Sequence, residues 1–157
     1  MTKMFGVYYE SGEYENYRKT LLFVTNDKGF ANLAVDQLKV YDNDLIRISE
    51  ELRLFRDDLL AKNPFPDQPE KPKFVKEESQ KNHLVKIDEW KKLMSTFKEG
   101  CNQHHLMIYG ECEKYLSTKT RLSEHDPRLD PYMEKPTQYF SKIYNDVEYS
   151  VEEVDYI

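Results

Sequence analysis

Apolar residues in the first third of this chain recur at steps of alternately three and four. They are Ala31, Ala34, Leu38, Tyr41, Leu45, Ile48, Leu52, Phe55 and Leu59. This spacing keeps an apolar edge on one side of an α-helix for about 30 residues, so the helix should be about 45 Å long. A second seam of the same kind comprises Ile87, Trp90, Met94, Phe97, Cys101, His104 and Ile108. Two long helices joined by a short connection fold back on each other, so the sequence predicts a helical hairpin.

The ends of both helices are predicted from capping and helix-breaking residues. Helix 1 is expected over 27–62, because the short polar side chains of Thr25 to Asp27 suit a helix N-cap. Four prolines in the stretch 63–73 end this helix and form the tip of the hairpin. Helix 2 is expected over 76–119. The recurrent prolines leave an alternative open, in which this stretch is a polyproline ligand for another domain.

Residues that favour strands gather at the two ends of the chain. Residues 4–10 and 19–25 are predicted to form an antiparallel hairpin around the tyrosine-bearing loop 11–18. Residues 147–157 should form a closing strand, with an irregularity at Glu152-Glu153 where the apolar alternation slips. A lone hairpin is marginal in water, so the closing strand should join it. The predicted fold class is α+β: a small three-stranded antiparallel sheet from the two chain ends, with a long antiparallel helical hairpin inserted.

We expect a single domain over 1–157, a length that suits a modest core. Its expected parts are the sheet (1–26 and 147–157), the helical hairpin (27–120) and a connecting segment (121–146). The sequence leaves open whether 137–145 is a helix or a strand.

The charge of the chain disfavours two classes of partner. The net charge is −6, the isoelectric point is about 5.3, and no basic run is longer than Lys91-Lys92. We therefore expect no direct binding to nucleic acid and none to a membrane. The first residues lack the apolar run of a signal peptide, and no window has the length of a membrane span. The expected location is cytoplasmic.

Cysteine and histidine cluster in the second helix without forming a predicted metal or catalytic site. Cys101 and Cys112 should lie about 16 Å apart on one helix, too far for a disulfide or for one metal ion. Cys101 with His104 or His105 would leave a zinc ion two ligands short. No oxyanion hole and no Gly-rich phosphate loop is recognisable. We predict no catalytic residue, no metal and no cofactor.

Tyrosine is abundant, with 12 residues, and acidic side chains are interleaved with it at both chain ends. Tyrosine offers a large contact area with few rotamers to freeze, and it is enriched in protein interfaces. One interpretation is that half of these tyrosines pack under the sheet. The other is an acidic, tyrosine-lined surface for a partner with a basic surface. The residues predicted to bind that partner are Tyr9, Glu13, Tyr14, Glu15, Tyr17, Tyr149, Glu152 and Glu153.

Helix 1 also carries apolar residues outside its seam, and one opposing helix cannot cover them all. These residues are Leu33, Val40, Ile46, Leu54 and Leu60. Either the segment 121–145 or a second chain should cover them, so a homodimer is an alternative.

The two ends of the chain resemble a recurrent pattern in small uncharacterised bacteriophage proteins. The similar features are a strand, a Ser-Gly-x-Tyr-x-x-Tyr loop ending at Tyr17, a strand ending in Phe-Val-Thr25 and a capped helix start. Residues 148–157 resemble the short acidic final strand of that pattern, and the helical hairpin resembles its variable insert. Most members carry a Lys-Ala pair early in the helix, whereas here Gly29 follows Lys28. The resemblance implies a phage origin rather than an activity.

Together these observations predict a non-enzymatic, phage-like protein that binds a host or phage protein, for example a host protein of a defence system, and inhibits or modulates it. The alternative is a structural or assembly protein that oligomerises through its helical seam. A third reading is a DNA-mimic inhibitor, or a small metal or thiol enzyme. The expected compartment of a phage-encoded chain is the cytosol of its host cell.

Overall fold

The computed structural model describes residues 2–12, 14–139 and 147–155. Within these ranges the main elements are β1 (Met4–Ser11), β2 (Arg18–Thr25), α1 (Lys28–Lys62), α2 (Gln80–Lys119) and β3 (Val147–Val154). Short 3₁₀ helices at Tyr14–Asn16 and Pro127–Tyr132 lie in the connections. The predicted α+β fold, with a three-stranded antiparallel sheet and two long helices, is confirmed. No helix in the described ranges combines the length and the hydrophobicity that a membrane span requires.

Packing divides the chain into two compact units. The first is Met1–Leu52 with Leu116–Ile157, and the second is Arg53–Tyr115. The first unit holds the sheet and the longer part of α1, and the second holds the end of α1 and most of α2. Both helices cross the boundary between the units, and the single domain expected over 1–157 stays a prediction.

The sheet has the strand order β2-β1-β3, with both neighbours antiparallel to the central strand. β3 pairs with β1 along its whole length, so the irregularity predicted at Glu152-Glu153 is wrong. Regular pairing puts Glu153 on the inner face, but the residue is near the end of β3 and exposed, so its charge is not buried. The register instead shifts between β1 and β2, and Leu22 has no partner there. This bulge allows both Leu22 and Phe23 to pack against the core.

The core of the first unit includes residues from β1, α1 and the second 3₁₀ helix. Its buried members are Val7, Ala31, Ala34, Leu38 and Leu129. All seven seam positions from Ala31 to Leu52 are buried, so the first predicted seam is confirmed as a packing face.

α1 begins and ends where side chains satisfy its free backbone groups. The carboxylate of Asp27 accepts a hydrogen bond from the Phe30 amide at 3.0 Å, as an N-cap does. At the other end the amide and side chain of Asn63 donate to the Leu59 carbonyl, at 2.9 and 3.1 Å. Pro64 follows and cannot continue the helix.

The connecting segment after α2 lies along α1 in the first unit. Side chains of α1 form hydrogen bonds with the backbone of this segment. The pairs are Arg47–Arg121 (2.6 Å), Asp44–Ser123 (2.9 Å) and Gln37–Asp126 (2.7 Å). Leu129 completes the attachment, because its side chain is fully buried in the core. This segment therefore covers part of α1, as one of the two alternatives expected, while Leu33 and Val40 remain exposed.

In the second unit, the proline-rich stretch predicted as the hairpin tip lies along α2. We call residues 63–74 the strap. Its contacts with α2 include Asn63–His104, Phe65–His104, Phe65–His105, Pro69–Trp90 and Phe74–His83. From Asn63 to Phe74 an extended chain rises about 34 Å, and from His104 to His83 a helix rises about 32 Å, so the two lengths match.

The chain reverses after the strap, not within it. The Glu78 amide donates to the Val75 carbonyl at 2.9 Å and closes a turn. Ser79 then caps α2 through a hydrogen bond of 3.2 Å from the Asn82 amide to its hydroxyl. The helix therefore begins at Gln80 rather than at residue 76. Pro69 is already held by Trp90, so the polyproline ligand considered from the sequence is docked on the chain's own α2.

Candidate protein-binding loop

The described part of the connection between β1 and β2 contains two residues with positive φ. We call its described residues, 12 and 14–17, the Tyr14 loop. Gly12 has a φ of 85°, and a Cβ there would lie 2.2 Å from the Asn16 carbonyl oxygen, so the position needs glycine. Tyr14 has a φ of 51°, in the left-handed region, which costs a residue with a side chain about 1–2 kcal/mol. The Tyr17 amide donates to the Tyr14 carbonyl at 3.1 Å and closes the 3₁₀ turn.

Two tyrosines project from this loop into solvent. Tyr14 is 94% exposed and Tyr17 is 52% exposed. Glu15, between them, is also exposed, and it forms no ion pair with any residue that the structure describes. Exposed aromatic rings on an ordered backbone are typical of the residues that dominate protein interfaces. The structure thus places Tyr14, Glu15 and Tyr17 of the predicted set in one loop.

Glu152 lies on the outer face of the sheet, where it is neutralised. The side chain of Lys19 crosses this face and forms an ion pair with Glu152, and its Nζ lies 3.7 Å from Glu10. The same Nζ lies 4.8 Å from the centre of the Tyr8 ring. The hydrogen bond with Glu152 raises the pKa of Lys19. Because one lysine serves two carboxylates, this face is less acidic than its composition indicates.

Tyr9 and Tyr149 lie on the inner face of the sheet and support the fold. Their rings pack edge to face with centres 5.5 Å apart, and Tyr149 lies against the core. The Tyr149 hydroxyl donates to Asp42 of α1 at 2.8 Å. Burial raises the pKa of Tyr149 well above its ordinary value. These two tyrosines therefore pack within the fold, and the partner-binding role expected for them stays a prediction.

Glu153 of the predicted set is not part of the loop surface. Glu153 pairs with Phe5, whereas Ser11 lies beside the loop, so Glu153 is about 20 Å along the strand from it. The Lys3 ammonium lies 3.8 Å from Glu153. Glu13 lies outside the described residues.

An acidic residue that the sequence prediction left out lies nearer to the loop. Glu148 is exposed and pairs with Glu10, one position from the strand end that adjoins the Tyr14 loop. It forms no ion pair with any residue in the described ranges. Counting the strand register back from the loop would have identified it, since antiparallel pairing fixes which residues lie together.

A small cleft lies among the described residues of the first unit. Its volume is about 130 Å³, and it lies between Gln37 and Tyr41 of α1 and Ser123 and His125 of the connecting segment. Ligand pockets usually measure about 300–1,000 Å³, so this cleft suits waters rather than a substrate. The imidazole of His125 forms a hydrogen bond of 2.5 Å with Asp130. In the described part of the chain, no nucleophilic side chain forms a hydrogen bond with it.

The thiols and histidines of α2 have structural environments. His104 binds the Asn63 carbonyl of the strap through Nε2. Cys112 is buried, and burial raises the pKa of its thiol, which disfavours the reactive thiolate. Across the described ranges, no three His, Cys, Asp or Glu side chains are grouped closely enough to hold a metal ion.

Comparison with known proteins identifies no relative. No protein-family model matches the chain, and no match was found among curated proteins or solved structures.

Proposed function

We propose that this protein binds another protein through the Tyr14 loop and modulates it, without chemistry of its own. The observation that carries the proposal is the Tyr14 ring, which is 94% exposed on a backbone conformation unfavourable to tyrosine. Glycine or asparagine would suit this φ better, so stability alone does not explain a tyrosine here. A tyrosine retained at such a cost is consistent with a contact made outside the chain.

The charges near the loop favour a partner with a basic surface. Glu15 and Glu148 are exposed at this end of the sheet, and neither is neutralised by a described residue. The net charge of −6 would add long-range attraction and raise the association rate with a positively charged partner. The resemblance to small phage proteins supports a host protein, for example a defence component, as that partner.

Structural observations make the alternatives less suitable. Oligomerisation through the first helical seam would need residues Ala31 to Leu52, and these seam positions are already buried within the chain. A DNA mimic needs rows of free carboxylates, whereas Lys19 neutralises Glu10 and Glu152.

The test is a pull-down from host lysate with the tagged full chain, followed by affinity measurement with the captured protein. Tyr14→Ala and Tyr17→Ala should each weaken binding, and Tyr14→Ala by about 30-fold or more if Tyr14 is a hot spot. Tyr109→Ala is the matched control, because Tyr109 is exposed on α2 in the second unit. Equal affinity for wild type and Tyr14→Ala would remove the loop as the binding site.

A further inference from the structure

The sheet has an outer face on the side opposite to the core, and the strand register determines which residues belong to it. Val7, Phe23 and Val151 point to the core, so the residues that alternate with them point outward. These are the even-numbered residues of 4–10 in β1 and of 148–154 in β3, with residues 19, 21 and 24 of β2. We call these residues the outer face.

Apolar side chains from all three strands meet above Gly6. A Cβ built on Gly6 would lie 2.9 Å from the Tyr8 ring and 3.0 Å from the Leu21 side chain. The Val154 side chain would lie 3.1 Å from the same Cβ, and Val24 is the direct neighbour of Gly6 on β2. Leu21 is 45% exposed and Val24 is 39% exposed. The outer face therefore has one contiguous apolar patch that reaches solvent.

The outer face also carries an excess of negative charge. Its charged residues are three glutamates and one lysine, which gives a net charge of −2. The Lys19 ammonium forms an ion pair with Glu152 and lies 3.7 Å from Glu10. Glu148 lies directly opposite Glu10, and no described residue forms an ion pair with it. An additional cation beside Glu148 would therefore offset a repulsion that Lys19 alone does not cancel.

We propose that the outer face binds an amphipathic helix of the partner protein, with apolar side chains on Leu21 and Val24 and a basic side chain beside Glu148. This inference deepens the proposed function and rests on it, because the basic partner that reaches Glu148 would also reach the Tyr14 loop. Glu148 pairs with Glu10, one position from the strand end that adjoins this loop. The loop and the outer face therefore form one continuous surface.

The size of the outer face suits a helix. Three strands at a spacing of about 4.8 Å make a face about 10 Å wide, which is about the diameter of one α-helix. Strands of eight residues are about 26 Å long, which equals about 17 residues of helix. On the inner face, residues of α1 already cover the same sheet.

The charge of the outer face decides against other occupants. Nucleic acid and an anionic membrane would bring further negative charge to it. A second copy of the chain, packed face to face, would bring two net charges of −2 together. An acidic helix would leave Glu148 without a cation. A basic amphipathic helix supplies both an apolar surface and the missing positive charge.

The test measures the binding of a synthetic amphipathic helix to the full chain by fluorescence anisotropy. The helix has about 17 residues of leucine, alanine and lysine, and a control peptide carries glutamate in place of lysine. We expect the lysine peptide to bind and the glutamate peptide not to bind. The amide NMR signals of Leu21, Val24 and Glu148 should shift when the lysine peptide binds.

Two variants test the two parts of the contact. Glu148→Lys should weaken binding about tenfold, because it replaces an attraction by a repulsion, each worth up to about fivefold. Leu21→Thr with Val24→Thr should also weaken binding about tenfold, because the double variant removes apolar surface from the contact. Threonine is β-branched and favours strands, so the sheet should remain folded.

Matched controls make the same chemical changes elsewhere in the chain. Glu153→Lys changes the charge of β3 equally but on the inner face. Leu84→Thr with Val85→Thr changes two apolar side chains of α2 that are 56% and 51% exposed. Both controls should bind the lysine peptide as the wild type does. Equal loss in the controls, equal binding of the two peptides, or no binding of the lysine peptide would overturn the proposal.

The captured partner distinguishes failure of this inference from failure of the proposed function. If Tyr14→Ala weakens its binding and Leu21→Thr with Val24→Thr does not, the outer face is excluded and the Tyr14 loop remains the binding site. If the threonine variant weakens binding and Tyr14→Ala does not, the partner binds the outer face and the loop is excluded.

Discussion

Lys19 of β2 and Glu152 of β3 form an ion pair across the central strand of the sheet. Because the lysine side chain passes over the Tyr8 ring, one residue joins all three strands on the outer face. Glu10 and Glu148 lie directly opposite each other on β1 and β3, and like charges so placed repel. The lysine therefore offsets repulsion between carboxylates that the strand register brings together.

Replacement of Lys19 by methionine should lower the melting temperature of the protein at low salt. Methionine keeps an apolar stem over Tyr8 and removes only the charge, so the loss should shrink in about 1 M salt, where exposed charges are screened. Thermal unfolding followed by circular dichroism at low and high salt measures the effect. Lys39→Met is the control, since Lys39 is exposed on α1 and should show no salt-dependent loss. A loss that is the same at both salt concentrations would argue against the electrostatic role.

Two glycines should respond in opposite directions to alanine. A Cβ at Gly6 would lie 2.9 Å from the Tyr8 ring and 3.1 Å from the Val154 side chain, so Gly6→Ala should destabilise the fold by about 1–3 kcal/mol. A Cβ at Gly110 would meet nothing within 4 Å. Gly110→Ala should stabilise by about 1 kcal/mol, because glycine is a poor helix former. Urea unfolding of both variants measures these changes, and destabilisation by Gly110→Ala would contradict the described environment of α2.

Tyr14→Gly should separate stability from binding. Glycine adopts positive φ without strain, so the variant should gain about 0.5–1 kcal/mol of folding stability after the entropy cost of glycine is subtracted. The same variant lacks the exposed ring and should lose the captured partner. Urea unfolding and affinity measurement on one preparation give both numbers. A variant that is less stable yet still binds would mean that the tyrosine serves the fold rather than a partner.

Much of the fold follows from period and capping. The alternation of three and four from Ala31 to Leu52 predicted a packing face, and every position of it is buried. The Asp27 cap and Pro64 placed both ends of α1 within one residue. Alternation in residues 147–157 predicted a strand that joins the N-terminal hairpin, and β3 pairs with β1 of that hairpin. These features depend on the spacing of residues along the chain, which can be counted in the sequence.

The two extended connections could not be predicted in this way. Asn63 with His104 and Gln37 with Asp126 are bonds between side chains and the backbone of distant residues. Such bonds have no sequence period, so the strap was expected to be a simple tip and the connecting segment a loop. The sequence analysis also did not identify the cap at Ser79. The strap extends to Phe74 and a turn follows it, so α2 begins later than the residue 76 that was predicted.

The alternation of side chains along β1 and β3 explains why two residues of the predicted binding set lie on the inner face of the sheet. Tyr9 lies two residues from Val7 and Tyr149 two residues from Val151, so each tyrosine is on the same face as a residue of the core. Tyr14 has a positive φ, which no periodicity in the sequence indicates.

The pair formed by Asp126 and Arg128 should make stability depend on pH in the acid range. Arg128 donates to both carboxylate oxygens, at 2.8 Å from Nη2 and 3.1 Å from Nε, and holds the pKa of Asp126 down from 3.8 to about 2. A carboxyl group with a lowered pKa stabilises the fold above its ordinary pKa, and this contribution is lost as the pH falls toward 2. Asp126→Asn should therefore melt below the wild type near neutral pH, and the two melting temperatures should converge between about pH 4 and pH 2. Thermal unfolding across this range measures the difference, and a constant gap down to pH 2 would show that the charge of Asp126 contributes nothing.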